Sequence, residues 1–103
     1  MPSQRVCAKN DLPEVGASIC VRVNFKPIAI YNVEGCYFAL ADYCTHEKAS
    51  LSEIGYIEGD TVECSLHGAQ FHIPTGKVLR PPAAEPLATY NVTIDGDNVL
   101  IDY

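Results

Sequence analysis

Apolar positions along the 103-residue chain fall in short runs broken by glycine, proline and acidic residues. Helical periodicity is hard to find anywhere, and strand patterns dominate. Ile19 to Val23 is rich in β-branched residues. Pro27 to Val33 is a second such run, and Glu34-Gly35 separates it from a third, Cys36 to Ala41. Two residues ending in glycine between two apolar runs predict a hairpin, because glycine takes the positive φ that a tight turn demands. Asp95-Gly96-Asp97-Asn98 divides Ala88 to Ile94 from Val99 to Asp102 in a similar way. The loose alternation of Thr89 to Ile94 suits a strand half buried in a small sheet.

The middle of the chain, from about residue 42 to residue 82, has a different character. It carries all three histidines, two of the five cysteines, and the breakers Gly55, Gly59, Gly68, Pro74, Gly76, Pro81 and Pro82. Short strands are predicted at Thr61 to Glu63, Ala69 to Ile73 and Lys77 to Leu79, with Pro74-Thr75-Gly76 as the turn between the last two. The expected fold is all-β and a single domain. Its base comes from residues 1–41 and 83–103, and a loop-rich insertion at about 42–82 projects from it. A regular base holds such loops still, which suits a site made of loop residues.

Length and charge narrow the class. A chain of 103 residues has room for one core. Seven Lys and Arg against thirteen Asp and Glu leave a net charge of −6. Such a balance argues against nucleic acid as a partner, since little is present to neutralise phosphates, and against docking on anionic membranes. The longest apolar stretches, Ile28 to Tyr31 and Cys36 to Ala41, are too short to span a bilayer. The first residues lead into no apolar signal-like region, so a cytoplasmic protein is expected. In that compartment five cysteines point to thiols or metal ligands rather than disulfides.

Cys44-Thr45-His46 and Cys64-Ser65-Leu66-His67 carry the candidate chemistry. Each offers one thiolate and one imidazole, a set that suits zinc or an iron–sulfur cluster and suits Mg²⁺ or Ca²⁺ poorly. Core cysteines and surface histidines are the plain alternative, but two mixed pairs, each opening a Gly- or Pro-rich stretch, favour a metal. Structural zinc sites usually pair like with like. Here each segment alternates the two ligand types, which a dinuclear cluster explains with one Cys from each segment on the inner iron and one His from each on the outer.

The pattern Cys44-x-His46-x₁₇-Cys64-x-x-His67-Gly68 resembles the binding motif of Rieske [2Fe–2S] proteins. Gly55-Tyr56-Ile57-Glu58-Gly59-Asp60, Val62-Glu63-Cys64-Ser65-Leu66-His67 and Thr75-Gly76-Lys77-Val78 are similar to segments of the small Rieske ferredoxins of bacterial aromatic-ring-hydroxylating dioxygenases. The resemblance implies a Rieske fold with a cluster-binding subdomain at about 42–82. It also implies one [2Fe–2S] cluster held by Cys44, His46, Cys64 and His67. It further implies one-electron transfer from an NAD(P)H-dependent flavin-containing ferredoxin reductase to the terminal Rieske oxygenase, the chain being a carrier and not an enzyme. A small Rieske-like subunit of a nitrite reductase and a zinc-binding interaction module are the rival readings.

Departures from the wider family carry information of their own. Rieske proteins of respiratory bc complexes have an extra cysteine in each cluster segment, joined as a disulfide; the matching positions here are Ala49 and Leu66. Those proteins also donate hydroxyl hydrogen bonds to the cluster sulfurs from places that here hold Ala69 and Phe71. Fewer donors stabilise an added electron less. Two thiolates with two neutral imidazoles still leave the oxidised centre less negative than a four-thiolate site. The expected potential is therefore near the bottom of the Rieske range of about −150 to +300 mV.

Other residues receive plainer expectations. His72 is read as a surface or second-layer residue. Cys7, Cys20 and Cys36 are read as small core hydrophobes, and Tyr31, Tyr37, Phe38 and Phe71 as core. Asp42, Glu47, Lys48 and Glu53 are read as solvated. Arg80-Pro81-Pro82 is expected to open a third, covering loop, and Leu66, Pro81 and Pro82 to form a small docking face.

Overall fold

Strand-forming runs and tight turns generate almost the whole architecture. The computed structural model describes residues 2–43, 50–65, 68–81 and 85–103. The chain forms β1 (Ser3–Ala8), a 3₁₀ turn at Lys9–Asp11, β2 (Ser18–Val23), β3 (Lys26–Val33) and β4 (Cys36–Ala41). A one-turn helix α1 (Leu51–Ile54) leads into β5 (Gly55–Glu58), β6 (Thr61–Cys64), β7 (Gln70–His72) and β8 (Val78–Arg80). Strands β9 (Thr89–Asp95) and β10 (Asn98–Asp102) complete it. Six strands form one sheet in the order β1-β10-β9-β4-β3-β2, and four form a second in the order β5-β6-β7-β8. Every pairing is antiparallel. The all-β expectation holds, and the six-stranded sheet takes strands from both ends of the chain.

The Glu34-Gly35 hairpin forms as read, with φ of 52° and 90° at its two central residues. Positive φ at both positions is the turn whose twist matches that of its flanking strands. Asn32 fixes it, since its Oδ1 accepts from the Gly35 N–H at 2.8 Å while its Nδ2 donates to the Pro13 carbonyl at 2.9 Å. A second turn of this kind, Asn24-Phe25 (φ 54° and 69°), joins β2 to β3 without a glycine. The sequence carried no such signal there. Strand β5 also lacked one, because two glycines frame it; β1 was hidden because its partner β10 lies at the far end of the chain.

Burial divides the interior in two. Ile28, Ile30 and Val23 pack with Ala39, Val99 and Ile101 on one side of the large sheet. On the other, Ala29, Tyr31 and Leu40 pack against Leu51, Val62, Cys64, Ala69, Phe71, Ile73 and Leu87. The second cluster is the seam between the sheets. Of the aromatics read as core, Tyr31 and Phe71 are fully buried and Tyr37 and Phe38 half-buried. The cysteine expectation needs correction at Cys20 and Cys36, which are exposed, whereas Cys7 is half-buried and packs against the first cluster. Cys36 directly follows the Glu34-Gly35 turn, where side chains stand outside the seam. Asp42 is a second correction, being buried and not solvated.

Gly76 ties the small sheet to the start of β9. Its N–H donates to the His72 carbonyl at 2.6 Å, and its carbonyl accepts from the Leu87 N–H at 2.8 Å. Its φ is +75°, and a β-carbon placed there would run into the Leu87 carbonyl oxygen. Left-handed backbone alone costs a residue with a side chain roughly 1–2 kcal/mol, and the collision adds to that. Gly76→Ala is therefore expected to lower the unfolding free energy by about 2 kcal/mol or more, read from the midpoint of urea denaturation. A loss under about 0.5 kcal/mol would show that the segment yields freely.

Candidate metal centre

Cys64 ends β6, where the burial pattern along Thr61–Cys64 alternates and puts Cys64 on the face of Val62. Alternation of side chains along a strand places both in the seam. Cys64 has no exposed surface. Its N–H donates to the Ala69 carbonyl and its carbonyl accepts from the Gly68 N–H, both at 2.8 Å. Gly68 has φ +77°, the left-handed conformation that a reversal this tight requires. The second cysteine–histidine segment thus leaves and rejoins the sheet at one hydrogen-bonded point.

The first segment is rooted differently. Tyr43 and Ser50 form an isolated bridge, and the Leu51 N–H donates to the Asp42 carbonyl at 3.0 Å. The Asp42 side chain closes the ring. Its Oδ1 accepts from the Ser52 N–H at 2.7 Å, and its Oδ2 accepts from the hydroxyls of Ser50 and Ser52, each at 2.7 Å. Ser50 stands at the helix N-cap position, yet it makes no side-chain cap there because its hydroxyl is committed to Asp42.

The two roots adjoin each other. Gly55, directly after α1, pairs with Cys64, and the Ser65 hydroxyl donates to the Ile54 carbonyl at 2.5 Å. Of the four expected ligands, Cys64 lies in this seam. Cys44, His46 and His67 lie outside the described residues, as do Glu47, Lys48, Ala49, Leu66 and Pro82. Pro81, Arg80 and Glu53 are exposed.

The surroundings of Cys64 suit a metal centre. A thiolate is costly among apolar side chains unless a cation binds it, so a sulfur enclosed by Leu51, Ala69 and Phe71 fits an inner iron ligand. Ala69 and Phe71 are both fully buried and bring no hydroxyl.

His72 has another occupation. Its Nδ1 lies 2.7 Å from the Thr75 hydroxyl and its Nε2 3.0 Å from Asp60 Oδ2, which links two turns of the small sheet. Both ring nitrogens are engaged at a half-exposed position, in keeping with a surface role.

Sequence reasoning missed the polar group behind the first segment. The Asp42 carboxylate neighbours the Cys20 thiol and the Tyr31 hydroxyl. Partial burial, then hydrogen bonding to Asp42 and its negative charge, push the Cys20 thiol above its ordinary range. Burial, with Asp42 next, drives the Tyr31 phenol upward as well. Nothing local announces this, because the donors stand eight and ten residues beyond Asp42.

Two stacked antiparallel sheets, with two adjoining rooted segments that each bear one cysteine and one histidine in sequence, make a small β protein with a candidate metal centre. The chain belongs to the Rieske [2Fe–2S] domain family, whose pattern matches residues 3–91. It is 45% identical over 103 residues to the biphenyl dioxygenase ferredoxin subunit of Pseudomonas sp. (strain KKS102), covering 100% of this chain and 94% of that one. The Sphingomonas yanoikuyae B1 ferredoxin superposes with a TM-score of 0.88 at 35% identity, over 99% of each chain. A ferredoxin from the complex of reduced oxygenase and oxidised ferredoxin in carbazole 1,9a-dioxygenase superposes with a TM-score of 0.85 at 37% identity, over 96% of this chain and 91% of that one.

Partial burial favours the neutral thiol of Cys20, and the negative charge of Asp42, which repels a thiolate there, favours it further. Asp42→Asn removes the negative charge, lowers the thiol's proton affinity and enlarges its thiolate fraction. Alkylation of Cys20 by iodoacetamide at pH 8, followed by peptide mass spectrometry, is expected to be faster in that variant. An unchanged rate would mean that burial alone governs the thiol.

Proposed function

We propose that this chain is the electron-transfer ferredoxin of a multicomponent aromatic-ring-hydroxylating dioxygenase. It passes single electrons from an NAD(P)H-dependent flavin reductase to the terminal Rieske oxygenase. The full-length likeness to a dioxygenase ferredoxin subunit carries the reading, and a relative of similar fold from a complex with an oxygenase supports the acceptor. Cys44 and Cys64 would hold the inner iron, and His46 and His67 the outer, with residues 42–82 as the cluster-binding subdomain. When bound, the cluster supplies a site that gains and loses one electron.

The chain's own residues do the rest. Cys64 offers its sulfur from a dry seam, and the turn it shares with Gly68 and Ala69 holds that sulfur in place. Asp42, Ser50 and Ser52 hold the ends of the first segment together. Ala69 and Phe71 withhold hydroxyl donors, which keeps the potential low for a Rieske centre. The net charge of −6 suits attraction to a basic face on the reductase, and a small, brief interface suits a carrier that must leave after each transfer. A supply of reduced pyridine nucleotide places the work in the cytoplasm. The intact set of four ligands favours this over a nitrite reductase subunit or a zinc module.

Natively purified protein is expected to be red-brown, to contain iron and acid-labile sulfide in equal amounts, and to give a Rieske-type electron paramagnetic resonance signal when reduced with dithionite. Colourless protein without iron would overturn the reading and leave zinc. His46→Cys or His67→Cys is expected to lower the potential or to abolish the cluster, and an unaltered potential would refute the ligand assignment. Reductase-driven turnover should fall as salt rises, because screening shortens to about 8 Å at physiological ionic strength and further beyond.

A further inference from the structure

Among the described residues Asp42 is the one charged side chain that is fully buried, at 1% exposure; the other buried polar side chain is that of Asn32. Among the described residues no lysine or arginine is buried beside it. The carboxylate is instead met by dipoles, from the Ser52 N–H and the hydroxyls of Ser50 and Ser52. The two hydroxyls also lie 3.1 Å apart. Each has a single proton, and with both protons directed at Asp42 none remains for that contact. All three donors thus point inward at one acceptor group.

Asp42 precedes Cys44 by two residues, which at full extension separates their α-carbons by no more than about 7 Å. Asp42 itself is 1% exposed, and a charge so buried acts strongly and is screened weakly by salt. Resting on the reading that Cys44 and Cys64 hold a cluster, we propose that Asp42 is a built-in negative charge that lowers the reduction potential of this centre, with Ser50 and Ser52 setting how strongly it is felt. Reduction adds one electron, hence one negative charge, next to a like charge that cannot move away. The same carboxylate already acts on its other neighbours, holding the Cys20 thiol and Tyr31 phenol toward their neutral forms. Asp42 is a positioning residue as well, because its three hydrogen bonds join the ends of the first segment. The two roles separate by experiment.

Asp42→Asn keeps the shape and removes the charge. Ser52→Ala keeps the charge and removes one compensating dipole. If charge sets the potential, the two variants shift it in opposite directions. Both are titrated with dithionite and redox mediators, following the visible spectrum and the electron paramagnetic resonance signal of the cluster. Asp42→Asn is expected to favour reduction roughly tenfold, an upward shift of about 59 mV for one electron; Ser52→Ala is expected to move the potential down by less. The Asp42→Asn shift should persist in 1 M salt, where the screening length of about 3 Å suppresses surface charges.

Equal potentials within twofold in the reduction equilibrium, or shifts of both variants in the same direction, would overturn the proposal while leaving the ferredoxin reading intact. If Asp42→Asn fails to assemble its cluster, Ser52→Ala decides alone, a lower potential supporting the proposal and an unchanged or higher one refuting it. A wild-type protein without a cluster would defeat both readings together.

Discussion

Burial of β3 on both of its faces is the constraint on which the rest of the structure depends. Its five central residues, Ile28 to Asn32, are all buried. Ile28 and Ile30 belong to one apolar cluster, and Ala29 and Tyr31 to the other. A strand with a single wet face shows alternation, whereas one covered on both sides reads as a continuous apolar run, as Pro27 to Val33 nearly does. The second sheet is what covers the Ala29 and Tyr31 face. Because Cys64, Ala69 and Phe71 are part of that cover, the packing that closes the seam also positions the root of the second cysteine–histidine segment. Fold stability and site geometry are here one interaction.

Such features were legible in proportion to how local their causes are. The Glu34-Gly35 hairpin and the β9–β10 turn were readable because glycine after an acidic residue demands little beyond its own backbone. The paired Cys–His motif stands out in the sequence because ligand chemistry is carried by residue type and spacing. Strand β5 was not, since Gly55 to Glu58 becomes a strand only by pairing with β6. Strand β1 depends on β10, more than ninety residues away. Asp42 misled for a related reason: an aspartate after an apolar run ordinarily marks a turn in water, and its burial rests on two serines that the sequence does not tie to it. Cys20 and Cys36 misled through their type, because free cysteines are often buried, while their places on an outer strand and beside a turn leave them exposed here.

Hydrogen bonds to a charged acceptor are shorter and about twice as strong as neutral ones, which explains how a carboxylate persists in this interior. Three contacts of 2.7 Å satisfy much of its acceptor capacity. They are also directional. An apolar residue at position 42 could fill the same volume, but it would not specify which residues return to meet the chain after position 43. The Asp42 contacts with Ser50 and Ser52 select that register, and the Leu51 N–H to the Asp42 carbonyl fixes it again through the backbone. Polar burial here contributes specificity where a small core leaves little else to supply it.

Tyr31 shows what this arrangement costs. Its hydroxyl is the one buried side-chain polar atom without a hydrogen-bond partner among the described residues, a deficit of about 1–3 kcal/mol. Burying an aromatic ring of 150–250 Å² at about 25 cal/mol per Å² gives roughly 4–6 kcal/mol, so the ring more than offsets its hydroxyl. Burial and the charge of Asp42 both oppose loss of the phenolic proton. Tyr31 is therefore held toward its neutral form, and among the described residues Asp42 is the one fully buried formal charge. A second anion beside Asp42 would blur the field that the carboxylate imposes; the high proton affinity of Tyr31 is what keeps that field simple.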